Sequence, residues 1–334
     1  MDLHFEAIAE DRPGPRWQRW FHELWPSYRR WYLSEGNAAR PSYLECERAL
    51  KEFLPAFVPA WEQLVELAGG GDLEARFLSL YCPPPYLTGC SQAVWTHPSP
   101  RLVRNYDYSP FLCEKLIWKT KWNRRSVIAA SDCMVGALDG VNDTGLAVSL
   151  SFGGRKETGR GFGAPMIVRY LLEFCQTVHE AAEIMRRIPV HMAYNILLLD
   201  AHGDYLTAFT SPDSPTILRR TPATTNHQDR VQWVRHAEAT DTLARERRLY
   251  ELLADRSLGH DDILASFLQP PLFQTEYKRG YGTLYTAAYD PVARSAEYVW
   301  PDQRWTQRFD NFQERSHSRL VAGPSSDDSL TALS

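Results

Sequence analysis

A cysteine directly after a glycine, followed by a strand-like run with an arginine and an aspartate, is the part of this sequence best suited to chemistry. Gly89 precedes Cys90, and the run Arg101–Tyr108 carries Arg104 and Asp107. A thiol attacks a carbonyl carbon as the thiolate, and a nearby cation favours that form. A carboxylate can hold an ammonium group or a bridging water. These residue types therefore predict a cysteine nucleophile.

The Gly89–Cys90 bond is a candidate site of self-cleavage. Cutting this bond gives Cys90 an α-amino group with an ordinary pKa of about 7.7 to 8, close enough to the thiol to act as its base. Nucleophile and base then lie in one residue. We expect glycine at position 89 because its carbonyl must be approached closely, and because the turn before the strand needs a conformation that favours glycine.

The same stretch resembles the choloylglycine hydrolase and penicillin acyltransferase group of N-terminal-nucleophile (Ntn) hydrolases. Mature chains of this group begin with Cys and carry an Arg-Asn-x-Asp motif, which the run Arg104–Asp107 matches. The run Asp139–Ser149 is similar to the family's DGMNEKGLA segment, and Thr224–Asn226 is similar to a segment that supplies an oxyanion-hole amide. The matches extend over residues 89–290 and are closest to the acyltransferase-like, linear-amide branch.

The resemblance implies a role for each of four residues. Cys90 is the expected nucleophile, Arg104 and Asp107 set its ionisation, and Asn226 stabilises the tetrahedral oxyanion. Ordinary structural roles remain open beside these. Arg104 and Asp107 could form a cross-strand ion pair, and Asn226 could serve a turn or a helix cap.

Three hydroxyl residues are weaker candidates for the oxyanion hole or the pocket. The bile-salt branch has a second oxyanion asparagine in a GLNF run, and here the equivalent run Ser149–Phe152 has Ser151 at that position. Ser151 is shorter than asparagine, so either its hydroxyl or a backbone N–H is expected to be the second donor. Thr283 and Thr286 are carried over because acyltransferase-like members commonly place a hydroxyl residue there.

The first 89 residues differ in pattern from the rest of the chain. Aromatic residues among arginines over Trp17–Tyr32, and apolar residues over Tyr43–Leu67, follow helical spacing and predict amphipathic helices. We expect residues 1–89 to form a helical pro-segment that is cleaved and remains bound to residues 90–334, the catalytic region. This segment either helps to shape the substrate pocket or only covers the sheet.

After Cys90 the pattern changes to the period of two that is typical of strands. Strand-like runs occur near residues 91–96, 101–105, 126–131, 145–152, 194–200, 204–210 and 283–289. Helical patterns occur over Met166–Cys175, Val178–Arg187 and Thr242–Leu253. Strands, paired helices and further strands predict an α+β layered fold. The resemblance implies its specific form, the four-layer αββα sandwich of Ntn hydrolases.

Composition excludes several classes of function. The chain has 44% hydrophobic and 23% charged residues, and its net charge of −4 gives no general attraction to nucleic acid. No apolar run is long enough to span a bilayer, and the N-terminus lacks a signal-peptide core, so we expect a cytoplasmic protein without membrane contact. Its cysteines and histidines lack metal-ligand spacing, so neither a metal nor a cofactor is expected.

Three functions from different classes are compatible with these residues. The leading hypothesis is a self-processing amidohydrolase that cleaves a linear, non-peptide amide through an acyl-Cys90 thioester. The alternative is an acyl-CoA-dependent N-acyltransferase, which needs a CoA thioester as co-substrate and an amine acceptor that outcompetes water. The third is an unprocessed, non-catalytic binding protein on the same fold. The partners expected are a small-molecule amide and the chain's own cleaved segment, and the sequence leaves open whether the protein forms a homo-oligomer.

Overall fold

Two β-sheets stacked face to face form the centre of the computed structural model, which describes residues 1–85, 87 and 89–322. The end of the predicted catalytic region, residues 323–334, lies outside the described residues. In chain order the strands within the described part are β1 Asp2–Ala9, β2 Gly89–Trp95, β3 Arg101–Tyr108, β4 Leu116–Thr120, β5 Val127–Asp132, β6 Gly136–Asn142, β7 Ala147–Phe152, β8 Tyr194–Leu199, β9 Tyr205–Ser211, β10 Ser214–Arg219, β11 Ala223–Thr224, β12 Gly282–Asp290, β13 Ser295–Trp300, β14 Gln303–Arg308 and β15 Arg315–Leu320.

Within the described residues the large sheet has nine strands, in the spatial order β10-β9-β8-β7-β6-β5-β4-β1-β15. The small sheet has six strands in the same part of the chain, in the order β11-β2-β3-β12-β13-β14. Neighbouring strands are antiparallel except β1 and β4, which are parallel. In the stack, β2 and β3 lie against β7, and β12 lies against β6.

Helices cover both outer faces of this pair of sheets. The helices are α1 Pro15–Tyr32, α2 Tyr43–Phe53, α3 Val58–Leu67, α4 Asp72–Leu78, α5 Ala164–Phe174, α6 Val178–Met185, α7 Val234–Ala239, α8 Thr242–Ala254 and α9 His260–Phe267. On the large sheet α5 packs on β6 and β7, and α6 on β8 and β9. On the small sheet α8 packs on β2 and β11, and α9 on β3 and β12. The predicted αββα order is therefore confirmed.

The side chains of β2 and β3 alternate between two different environments. Cys90 and Tyr106 belong to the large apolar core between the sheets, whereas Ala93 and Val103 belong to a smaller core under α9. Strands covered on both faces normally carry apolar residues throughout. Buried polar side chains on these two strands therefore need partners, and those partners form the site described below.

The first 89 residues contain helices, as predicted, together with a strand that the sequence analysis did not identify. Strand β1 lies between β4 and β15 in the large sheet, with Glu6 opposite Leu116 and Phe5 opposite His317. The run predicted over Tyr43–Leu67 is divided into α2 and α3, because proline ends a helix by lacking a backbone N–H and Pro55 stands between them. Among the described residues, no helix combines the length and apolar composition needed to cross a bilayer.

Candidate active site

Cys90 is fully buried on β2, at the interface between the two sheets. It lies opposite Tyr106 of β3, and Gly89 lies opposite Asp107. The pairing of these two strands brings the Gly-Cys junction beside the Arg-Asn-Tyr-Asp run, as the sequence predicts. Gln92, two residues along the same face, is hydrogen-bonded to the large sheet through its side chain, so this face of β2 is held in place.

Arg104 binds the sulfur of Cys90. Its Nη2 donates to Cys90 Sγ at 3.1 Å, and its Nη1 donates to the carboxylate of Asp139 on β6. Asp139 also accepts hydrogen bonds from the hydroxyls of Tyr285, at 2.7 Å, and Tyr289. All the charged groups here are buried, so the cation interacts with the sulfur in a medium of low dielectric constant. This arrangement stabilises negative charge on the sulfur.

Asp107 points to the other face of β3, toward helix α8. Its carboxylate accepts a hydrogen bond from Thr283 Oγ1 at 2.7 Å and lies 3.4 Å from Nη1 of Arg245. Burial raises the pKa of Asp107 to about 6, although Arg245 and the Thr283 hydroxyl act in the opposite direction. Arg104 and Asp107 thus pair with different partners, Asp139 and Arg245, and the interpretation that they pair with each other is wrong.

Asn226 contacts the backbone of Cys90. Its Oδ1 accepts from the Cys90 backbone nitrogen at 3.0 Å, and its Nδ2 donates to the carbonyl of Phe152 at 3.3 Å. The backbone N–H of Asn226 donates to Thr242 Oγ1 at the start of α8, at 2.8 Å. The loop after β11 is therefore fixed to α8, and it holds Asn226 against the nitrogen that cleavage would convert into the α-amine.

Arg245 is a site residue that the sequence analysis missed. This buried side chain on α8 donates to the Cys90 carbonyl oxygen at 2.7 Å and to Asn226 Oδ1 at 2.6 Å. Together with its contact to Asp107, these bonds connect three of the predicted residues. The available signal was its position: Arg245 lies on the same helical face as the buried Leu249, four residues later. An arginine on the apolar face of a helix requires a buried partner.

The three weaker candidates have different environments. Thr283 lies in the site, where its hydroxyl donates a hydrogen bond to the carboxylate of Asp107. The Ser151 hydroxyl donates to the carbonyl of Thr225 at 2.9 Å, so its proton is engaged in holding the loop that carries Asn226. Thr286 donates to the side chain of Asn105 at 2.7 Å, on the face of the small sheet that is covered by α9.

Glycine at position 89 is explained by packing. A Cβ at this position would overlap the hydroxyl of Tyr281, a buried group whose pKa burial raises well above its ordinary value. Gly89 begins strand β2. The close approach of Tyr281 therefore gives a packing reason for glycine at this position.

Comparison with known proteins assigns the family. Residues 95–305 match the model of the acyl-coenzyme A:6-aminopenicillanic acid acyl-transferase family. The chain belongs to this family. Members of the group that the sequence resembles are therefore its relatives, and the recognition made from Cys90, Arg104–Asp107 and Asn226 is confirmed at the level of the family. No curated protein matches the sequence.

Three solved structures are similar to the chain at low sequence identity. Penicillin V acylase from Agrobacterium tumefaciens is 15% identical, with 66% of this chain and 86% of that chain covered and a TM-score of 0.44. A mutant conjugated bile acid hydrolase from Clostridium perfringens is 10% identical, with coverages of 71% and 98% and a TM-score of 0.47. The N-acylethanolamine-hydrolyzing acid amidase ortholog of Caenorhabditis elegans is 13% identical, with coverages of 70% and 100% and a TM-score of 0.46.

Proposed function

We propose that this protein is a self-processing amidohydrolase that uses Cys90 as an N-terminal nucleophile on linear, non-peptide amides. One observation carries the proposal: the sulfur of Cys90 is bound by Arg104 at 3.1 Å while its backbone nitrogen is bound by Asn226 at 3.0 Å. An N-terminal cysteine uses its sulfur as the nucleophile and its nitrogen as the base. Here a cation contacts the sulfur and a hydrogen-bond acceptor contacts the nitrogen.

Processing uses the thiol of Cys90 on the peptide bond that precedes it. The Cys90 thiolate attacks the carbonyl carbon of Gly89, the peptide C–N bond breaks as its nitrogen takes up a proton, and a thioester forms. Water then attacks the thioester and releases a carboxylate on Gly89 and a free thiol and amine on Cys90. Strand β1 lies between β4 and β15, so departure of residues 1–89 would expose two sheet edges. We therefore expect the cleaved segment to remain bound.

Turnover uses the amine that processing releases. The Cys90 amine accepts the thiol proton as the sulfur attacks the substrate carbonyl carbon, and it returns that proton to the nitrogen that leaves. Asn226 orients the amine through Oδ1, and its amide group or a backbone N–H stabilises the oxyanion, at a loss on removal of about 10²- to 10³-fold in rate. Water activated by the same amine then hydrolyses the acyl-Cys90 thioester to a carboxylic acid.

Acyl transfer is the second candidate, and the description of the matching family favours it. The same acyl-Cys90 thioester gives a new amide if an amine, rather than water, attacks it. Water is present at tens of molar, so transfer dominates only where the protein binds the amine and supplies a high effective molarity. The acyl donor under this alternative is a CoA thioester.

A trapping experiment tests the leading proposal. The purified protein is incubated with N-acyl amino acids, N-acyl amines and phenylacetyl or aliphatic amides, and is then quenched with acid. We expect hydrolysis of at least one amide without added acceptor, together with an acyl adduct on the peptide that contains Cys90. Cys90→Ala should abolish both results, whereas Cys175→Ala, at another buried cysteine, should abolish neither. If every amide is inert while acyl-CoA plus an amine yields product, the transferase is correct.

A further inference from the structure

Tyr281 lies against the residue whose carbonyl carbon is attacked in the proposed processing. A Cβ added to Gly89 would lie 1.8 Å from the phenol oxygen of Tyr281, 2.7 Å from its Cζ and 2.9 Å from its Cε2. Carbon atoms that are not bonded to one another pack at about 3.5 to 4.0 Å. The ring therefore leaves no room for a carbon substituent at this position on the α-carbon of Gly89.

The ring of Tyr281 and the sulfur of Cys90 lie on opposite faces of the Gly89–Cys90 peptide bond. Consecutive side chains of a strand point to opposite faces. Cys90 points into the core between the sheets, whereas Gly89 lies opposite Asp107, whose carboxylate is directed toward α8. Tyr281 reaches the Asp107 face because it directly precedes β12, in which Thr283 lies opposite Asp107. The carbonyl group of Gly89 is therefore confined between the sulfur on one side and the phenol ring on the other.

Tyr281 is part of the site at Cys90. Burial raises the pKa of its phenol well above the ordinary value, the charges of Asp107 and Cys90 raise it further, and the charge of Arg245 acts in the opposite direction. Charged groups shift a pKa in this way when they are close. The phenol therefore stays protonated at neutral pH, and the surface that it presents to Gly89 is uncharged.

Backbone contacts hold Tyr281 in place. Its backbone N–H donates to the Glu276 carbonyl at 3.2 Å. The Tyr277 hydroxyl donates to the Thr283 carbonyl at 2.6 Å and so connects the preceding turn to β12. A buried hydroxyl normally has a hydrogen-bond partner, whereas the buried phenol oxygen of Tyr281 has none among the described residues. Hydrogen bonding within the fold therefore does not explain why this oxygen lies on Gly89.

The peptide bond cut in the proposed processing defines the place of a substrate's acyl group. In the processing thioester the carbonyl carbon of Gly89 is bonded to Sγ of Cys90, and in the turnover thioester the carbonyl carbon of the acyl group is bonded to the same atom. The carbon next to this carbonyl is Cα of Gly89 in the first case and the α-carbon of the acyl group in the second. Once Gly89 has withdrawn, the acyl α-carbon therefore occupies the place beside Tyr281.

We infer that Tyr281 selects acyl groups with no branch at the α-carbon, so that the substrates are amides of straight-chain or arylacetic acids. The inference rests on the proposed function, because it uses the acyl-Cys90 thioester. It gives a single cause for two requirements: glycine at the chain's own cleavage site, and a methylene group next to the carbonyl of the substrate.

The selection should be stereospecific. The overlap with Tyr281 concerns the position that Cβ takes in an L-amino acid, so one particular hydrogen of the α-carbon faces the ring. If the acyl chain continues where the backbone nitrogen of Gly89 lies, a methyl group in place of this hydrogen produces the (R)-2-methyl acyl group. We therefore expect Tyr281 to exclude the (R) enantiomer more strongly than the (S) enantiomer.

Acylation of Cys90 by activated esters tests this inference without requiring amide hydrolysis. The donors are the p-nitrophenyl esters of hexanoic, (R)-2-methylhexanoic and (S)-2-methylhexanoic acid. In each reaction with the processed chain the thiolate attacks the ester carbonyl carbon, the C–O bond breaks, p-nitrophenolate leaves, and the acyl-Cys90 peptide is identified by mass. Each rate is divided by the rate with free cysteine, which removes the intrinsic effect of the branch. On this scale the wild type should react with the hexanoyl ester about 10²-fold faster than with the (R)-branched ester.

Two substitutions of Tyr281 should restore the branched donor in steps. Tyr281→Phe removes the oxygen but leaves Cζ 2.7 Å from the added carbon, so the preference for the hexanoyl ester should fall about threefold, and in Tyr281→Ala it should fall about tenfold or more. Tyr281→Phe loses no hydrogen bond and should leave the free energy of unfolding unchanged, so it keeps the test decisive if the alanine variant is unstable. Tyr250→Ala, at an exposed tyrosine of α8, is the control and should leave the preference unchanged.

The outcomes separate this inference from the proposed function. If no ester acylates Cys90 in the wild type, the proposed function is wrong and the inference is wrong with it. If the hexanoyl ester acylates Cys90 while the branched esters react equally well, or if wild type, Tyr281→Phe and Tyr281→Ala share one selectivity, then Cys90 is the nucleophile as proposed and Tyr281 does not select the acyl group. A stronger exclusion of the (S) ester would also contradict the inference.

Discussion

The guanidinium of Arg104 connects the sulfur of Cys90, 3.1 Å away, to the buried carboxylate of Asp139. The carboxylate compensates the charge of Arg104 during folding, and the tyrosine hydroxyls on Asp139 satisfy its remaining acceptors. Cys90 therefore lies beside a cation whose position is fixed from the opposite sheet. Each sheet contributes one residue of the Arg104–Asp139 ion pair that contacts the sulfur.

Removing the cation should impair the nucleophile more than it impairs the fold. We expect Arg104→Gln to reduce processing and amide turnover about 10²-fold, because negative charge on the sulfur loses its nearest counter-charge. The rate at which iodoacetamide alkylates Cys90 at a single fixed pH should also fall, because the thiolate that reacts loses the same counter-charge. Arg155→Gln is the control, since Arg155 pairs with Asp213 at the surface. Equal losses in both variants would show that Arg104 is a structural residue.

The carboxylate of Asp107 should set the acid limb of the pH profile. Its pKa is about 6, so turnover that needs the ionised carboxylate should rise with a midpoint near pH 6, and Asp107→Asn should eliminate this limb. The pKa is raised above its unfolded value of 3.8, so the native state binds this proton more tightly. The contribution of Asp107 to stability therefore falls as pH rises from about 4 to about 6. Chemical denaturation of both proteins across this range measures the difference, and parallel curves would contradict the assignment.

Arg245 should control both processing and the ionisation of Asp107. Arg245→Met removes the donor to the Cys90 carbonyl and the cation next to Asp107, so we expect slow processing and an acid limb that moves above pH 6. Arg248→Met lies on the same helix, and its exposed guanidinium pairs with Glu251. An acid limb that stays in place in Arg245→Met, or moves equally in Arg248→Met, would mean that Arg245 does not act on Asp107.

The fit between Gly89 and Tyr281 should be necessary for cleavage. Gly89→Ala introduces a Cβ that overlaps the Tyr281 hydroxyl, so we expect a chain that stays uncut on denaturing electrophoresis. The double variant Gly89→Ala/Tyr281→Ala removes the obstacle and should recover cleavage. Gly259→Ala, at a glycine where a Cβ makes ordinary contacts, should be processed normally. Normal cleavage of Gly89→Ala alone would exclude this explanation.

Local sequence was sufficient to predict the half of the site that two neighbouring strands build. Cys90, Arg104 and Asp107 lie on the two strands of one hairpin. Their spacing in the sequence and the strand period of two were therefore enough to predict that they are neighbours. Asn226 was reached through the family resemblance. The pairing of Arg104 with Asp139 was not predictable, because it depends on how the two sheets stack.

Residues contributed by elements distant in the sequence were missed because their positions also depend on tertiary packing. Arg245 reaches Cys90 from a helix more than a hundred residues later, and only its place on an apolar face gave a signal. Strand β1 had a signal that was not used, since Leu3, Phe5 and Ala7 alternate with more exposed residues. Its partners, β4 and β15, could not be inferred from a pattern that is local to the strand.

Mass spectrometry of the purified chain, with sequencing of any new N-terminus, tests the role of Cys90 most directly. We predict two fragments in the wild type, one ending at Gly89 and one beginning at Cys90, that separate only under denaturing conditions. The Cys90→Ala chain should have the intact mass. A wild-type chain that remains uncut and yet hydrolyses amides at its full rate would contradict the proposal that Cys90 acts as an N-terminal nucleophile.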